Sequence, residues 1–266
     1  MSDKLIFLSH ITEEKKLAKI IKDAIEDEFS GFVKVFVSSD GETIKAGQNF
    51  LKVIEDGLVD CIAAIYLISP ISVQRSWISF ELGAVWIRNT ISQRKGDIEI
   101  PALPFCHSGM NFKDLPQPIC NLNSIEANLS SKLEFAFKSL QMAVGGRGRL
   151  KTDFDALADQ VVEFEKDYML VDKVTTILEL FGVDAENKKN LKQQVGIATL
   201  KNFTIKTSTE QVIADQIFKI IDGGLNHVVS YQIGGSRMGG GTRGIHTYVD
   251  VDINFNIDLL RTALNR

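Results

Sequence analysis

The chain has 266 residues, enough for one large domain or two ordinary ones, and its 44% hydrophobic and 24% charged residues are those of an average globular protein. A formal charge of -4 argues against a dedicated nucleic-acid binder, which would carry a basic stripe; the cluster Arg147, Arg149 and Lys151, interleaved with glycines, reads as a solvated linker. The opening MSDKLIFLSH lacks the order of a secretory signal, and no apolar run nears the roughly 18 residues of a membrane span, so a cytoplasmic location without membrane association is expected.

Residues 4–9 (KLIFLS) form a short apolar run between polar neighbours, which predicts a strand. Residues 12–29 repeat apolar side chains at Leu17, Ile20, Ile21, Ala24 and Ile25, the spacing of an amphipathic helix; Thr12 is placed to cap it, with Glu13 and Glu14 favourable in the first turn. A strand at 33–38 (VKVFVS), a Gly-containing loop at 39–47 and a helix at 48–58 follow. Residues 61–69 (CIAAIYLIS) are apolar almost throughout, as in a parallel strand covered on both faces. A helix at 72–89, a strand at 99–105 and a helix at 131–144 complete three or four β–α alternations. The expected fold is a flavodoxin-like, doubly wound parallel sheet, with ligands beyond the carboxyl ends of its strands, after Ser9, Ser38 and Pro70. The Gly-rich stretch 145–151 sets a boundary between domains at 1–146 and 152–266. The second half reads as mixed α+β: helices at 152–168, 171–181, 184–199 and 208–221, a short strand at 203–205, and two strands at 227–233 and 245–255. Between the last two lies GGSRMGGGTRG. It sits between strands rather than before a helix, so it reads as a hairpin loop, with Arg237 and Arg243 as the anion contacts were it to bind phosphate.

Four segments, in order, carry a resemblance. Phe7-Leu8-Ser9-His10, Val37-Ser38-Ser39-Asp40, Leu67-Ile68-Ser69-Pro70 and the helical stretch from Ser76 to Ala84 (SWISFELGA) are similar to the pattern of bacterial TIR domains, as is the continuation His107-Ser108-Gly109 and Asp114-Leu115-Pro116. The resemblance covers about 140 residues and implies one of two functions: a scaffold that signals by self-association, or an enzyme that cleaves the nicotinamide–ribose bond of NAD+. The cleaving kind uses a glutamate on the helix after the third strand and an aromatic residue one turn earlier. Glu81 and Trp77 match both positions, and at i and i+4 they share a helix face.

The chemistry gives those residues work to do. Neutral nicotinamide leaves readily; the difficult species is the electron-poor sugar left behind, which a carboxylate can stabilise. Glu81 lies between Phe80 and Leu82 in an apolar stretch, where a merely solvated glutamate is out of place, and it is taken as catalytic. Trp77 is assigned to stacking on ribose or nicotinamide rather than to core packing. Ser9, His10 and Asp40 edge the same crevice and are assigned to substrate binding, with Phe50 and the 41–47 loop as a lid hinged at Gly41 and Gly47. Ser76 has no partners spaced for a triad. Cys61, Cys106 and Cys120, odd in number and without CxxC spacing, read as free thiols, and the histidines at 10, 107, 227 and 246 lack metal-ligand spacing, so no metal and no cofactor are expected, NAD+ being the substrate. The C-terminal half resembles no nameable family. By analogy it senses a nucleotide or protein trigger or drives self-association, bringing the TIR domains together into a homo-oligomer that completes the crevice around Glu81, which makes the chain an immune, antiphage effector. The competing reading is a non-enzymatic adaptor.

Overall fold

A computed structural model describes residues 4–38, 49–96, 99–183, 185–241 and 244–265. The first strand, β1 (Lys4–Ser9), pairs in parallel with β2 (Val33–Val37) on one side and β3 (Ala63–Ile68) on the other. All six residues of β3 are buried, as its unbroken apolar run requires of a central parallel strand. The strands β4 (Ala102–Cys106) and β5 (Ile125–Glu126) extend the sheet, whose order is β2-β1-β3-β4-β5. This is the flavodoxin-like order, doubly wound and flanked by helices, and its direction reverses between β1 and β3. The crevice of such a sheet opens there, beyond Ser9 and Ser69. The two-residue β5 has no counterpart in the sequence reading, because a strand that short leaves no periodicity.

Helix α1 (Lys15–Glu28) buries Leu17, Ala18, Ile21 and Ile25. The next helix, α2 (Phe50–Asp60), is capped at its start by the Asn49 side chain; near its end the Arg88 guanidinium donates to the carbonyls of Leu58 and Cys61 at 2.9 and 2.6 Å. Helix α3 (Ser76–Lys95) ends at Gly96 in the left-handed conformation (φ 77°), and α4 (Ser130–Val144) ends the same way at Gly145.

The chain divides into two compact units, Met1–Lys166 and Asp167–Arg266. The stretch 145–151 connects α4 to α5 (Phe154–Leu180) within the first of them. Where the sequence reading has two helices, at 152–168 and 171–181, α5 is continuous. Met169 and Leu170 are good helix formers, no Gly or Pro interrupts, and the buried residues Val161, Phe164, Tyr168, Val171 and Val174 keep helical spacing throughout.

The second unit contains α6 (Ala185–Ile197), β6 (Asn202–Glu210), α7 (Gln211–Asp222), β7 (Val229–Gly241), β8 (Gly244–Asn256) and α8 (Ile257–Leu264), with an antiparallel sheet in the order β6-β8-β7. The mixed α+β class expected for this half is therefore observed. Val249, Val251, Ile253 and Phe255 alternate along β8 into a core shared with Ala214, Ile217 and Ile221 of α7 and Leu260 of α8. The Arg261 guanidinium donates to the carbonyls of Val195 and Ala198, closing the end of α6. The Gly-rich segment is not the loop that its composition suggests. Residues up to Gly241 belong to β7, paired with β8 as far as Gly241↔Gly244, with a register shift between Ile233 and Ser236. Backbone pairing with the β-branched strand β8 outweighs the poor strand propensity of glycine.

Candidate active site

At the β1/β3 switch point the end of β1 presents Ser9, only 1% exposed, and the first turns of α3 present Trp77 and Glu81. Glu81 is fully buried, on the same helical stripe as Ile78, Leu82, Val85 and Asn89. A carboxylate cannot sit there without donors. It has two: the Ser9 hydroxyl donates to Oε2, and the Trp77 indole N–H donates to Oε1 at 2.8 Å. The Tyr66 hydroxyl donates to the Glu81 backbone carbonyl at 3.4 Å. Burial pushes the Glu81 pKa up to about 7, and the bonds from Ser9 and Trp77 pull against that rise. Trp77 is 37% exposed, with its ring 5.1 Å from that of Phe80, so it lies at the surface over the buried carboxylate.

Of the other residues singled out in the sequence, His10 is buried, its Nδ1 2.5 Å from the Ile11 carbonyl oxygen. Asp40 and the 41–47 loop lie outside the described residues, as does the side chain of Phe50. The structure thus brings Ser9, Trp77 and Glu81 into one hydrogen-bonded group, with His10 next in the chain. A cavity of about 650 Å³ lies farther along α3, bordered by Leu82, Trp86, Asn89, Leu103, Phe135 and Met142, and none of those three residues lines it. Among the described residues no group of three or more His, Cys, Asp or Glu side chains is arranged to hold a metal ion, and no helix is long and apolar enough to cross a membrane.

A comparison with protein families matches residues 6–125 to the TIR domain. The N-terminal half of this chain is a TIR domain. A comparison with curated proteins returns no match.

The TIR domain also holds a second buried polar cluster that the sequence reading missed. Glu14, placed there in an ordinary first helical turn, is fully buried. Its carboxylate accepts the Ile11 backbone N–H at 3.1 Å and the Ser69 hydroxyl at 2.8 Å, and the His107 Nε2 lies 3.2 Å away. Ser72 ties into the same cluster, its hydroxyl accepting the Ser69 backbone N–H at 2.7 Å. A partial signal was present: Glu14 precedes Leu17, Ala18, Ile21 and Ile25 by three, four, seven and eleven residues, the apolar stripe of the helix expected at 12–29, although the structure begins α1 at Lys15 and leaves Glu14 at the end of a 3-10 turn. Ser69 and His107 stand in the segments that carry the family resemblance, but that they and Ser72 gather around Glu14 does not show in the sequence, because it depends on strand ends that meet only in the fold.

Proposed function

We propose that this protein is an NAD+ nucleosidase in which Glu81 stabilises the sugar cation formed as the nicotinamide–ribose bond breaks. The observation that carries this reading is a fully buried carboxylate at the switch point of a TIR sheet, its two oxygens occupied by a serine hydroxyl and an indole N–H. In this reading ribose hydroxyls take over the bonds that Ser9 and Trp77 now make to the carboxylate, and Trp77, 37% exposed, stacks on the incoming ring. In the reaction the C1′–N bond breaks with its electron pair leaving on nicotinamide, whose ring charge is thereby neutralised. The positive charge moves to the ribose, beside Glu81. A water molecule then adds to C1′ and releases a proton, giving ADP-ribose; an adenine nitrogen adding instead gives a cyclised product. The positive nicotinamide ring also favours ionised Glu81, so substrate binding shifts the carboxyl toward the form that the transition state needs.

The second unit, in this reading, binds a trigger or another copy of the chain, and activation by association suits an immune, antiphage effector that must not deplete the NAD+ of its own cell. A non-enzymatic adaptor signalling by TIR–TIR association is the alternative, and it draws on the outward-facing Trp86, Phe135 and Met142 beside the 650 Å³ cavity. Incubating the full chain with NAD+ over a wide protein concentration range, with product masses followed, separates these readings. Release of nicotinamide is expected, accompanied by ADP-ribose or by its cyclised form. Intact NAD+ at every concentration, with candidate nucleotide triggers added, favours the adaptor.

A further inference from the structure

Glu165 of α5 lies forty residues beyond the part of the chain matched to the TIR family, yet it is buried at the carboxyl end of that domain's sheet. One carboxylate oxygen accepts the Ser108 backbone N–H at 2.7 Å; the other accepts the Asn128 side-chain amide at 2.9 Å. Ser108 needs such a hold, since it is a non-glycine residue in the left-handed region (φ 51°), which an L side chain occupies at a cost. From Ser108 the contacts continue without a gap. Its hydroxyl is 3.0 Å from His107 Nδ1, His107 Nε2 is 3.2 Å from Glu14, and Glu14 accepts the Ile11 N–H two residues after Ser9. Phe164, the neighbour of Glu165, packs its ring edge-on against His107 at 5.8 Å. We infer that Glu165 is a positioning residue for the Glu81 site, holding the Ser9–His10 turn through Ser108, His107 and Glu14. The inference deepens the proposed NAD+ cleavage. Its structural content is that the Ser9–Glu81 bond depends on a helix outside the family-matched region.

The bond from Ser9 is one of the two that hold the Glu81 pKa down against burial, so loosening Ser9 raises it. That can be read without any turnover. In full-length protein carrying Trp86→Phe, indole emission reports Trp77, whose N–H is bonded to the carboxylate that titrates. The unmodified Glu165 background is expected to titrate near pH 7, and Glu165→Ala to move the midpoint upward. Glu165→Gln keeps an oxygen for the Ser108 N–H, while the Asn128 amide can rotate to accept; it should hold the original midpoint. In turnover, Glu165→Ala lowers kcat on the order of tenfold, with its acid limb moved the same way, as expected of a displaced catalytic group. Should Glu165→Ala not fold, Asn128→Ala, which removes only the group orienting the carboxylate, shows a smaller shift in the same direction. An unmoved midpoint in a folded Glu165→Ala, or in Asn128→Ala, overturns the inference, as does equal loss in the Ala and Gln variants. A midpoint that shifts in a protein that never cleaves NAD+ supports the positioning and refutes the enzymatic reading instead.

Discussion

Three glutamates, Glu14, Glu81 and Glu165, are buried: Glu81 and Glu165 on the apolar stripes of α3 and α5, and Glu14 at the end of the 3-10 turn that enters α1, three and four residues before the buried Leu17 and Ala18. Each is held by dedicated donors, and each sits at the carboxyl end of the sheet. Glu81 costs the fold stability, and the sign is fixed by its raised pKa. Between the ordinary carboxyl value near 4.5 and about 7, the folded state keeps a proton that the unfolded chain has released. Stability therefore falls as pH rises through that window and levels off above it, by at most about 3 kcal/mol. Glu81→Gln removes the titration while its amide can still accept from Trp77 and donate to Ser9. Melting curves should show Glu81→Gln gaining on the wild type from pH 5 to pH 8, by several degrees at the upper end for a chain of this size. A melting difference that stays flat with pH would mean that Glu81 does not titrate in this range. Glu81 was legible in the sequence because a motif and an apolar setting coincided; Glu14 and Glu165 were not, because a stripe position alone does not say which fold partners arrive.

At the scale of elements, the first sheet was legible because its strands are apolar runs and its helices amphipathic, two periods that rarely imitate each other. The second unit was less so. Helix α5 reads as two because composition changes near Met169, while nothing there breaks the backbone. The two strands of the β7–β8 ribbon show in the sequence as alternating runs, but its Gly-rich end reads as a loop, although Gly239, Gly240 and Gly241 pair with His246, Ile245 and Gly244 of β8. Those glycines are not equivalent. A Cβ on Gly239 would lie 3.0 Å from the Tyr248 ring, so Gly239→Val must displace that ring. At Gly235 a Cβ would be in ordinary contact, its nearest atom Asp250 Oδ2 at 3.8 Å, so Gly235→Thr adds strand propensity without a clash at Cβ. Thermal melts should place Gly235→Thr at or above the wild type and Gly239→Val about 1 kcal/mol below it. The reverse order would mean that the ribbon pairs in a different register.

At the scale of the whole molecule, a TIR domain built around a costly buried carboxylate is followed by a second folded unit with a hydrophobic core of its own. Under the proposed function, an enzyme whose substrate is essential to its host needs a restraint, which association through the second unit would supply by mass action. On that view activity belongs to the assembled chain and chemistry to one side chain, so both are tested together by nicotinamide release from full-length wild type and Glu81→Gln across a protein concentration series, with the assembly state of each recorded. The wild type should cleave NAD+ with activity rising faster than linearly with concentration, and Glu81→Gln should assemble alike yet lose about 100- to 1,000-fold in rate at every concentration. Cleavage by Glu81→Gln within a few-fold of the wild type would remove Glu81 from the chemistry.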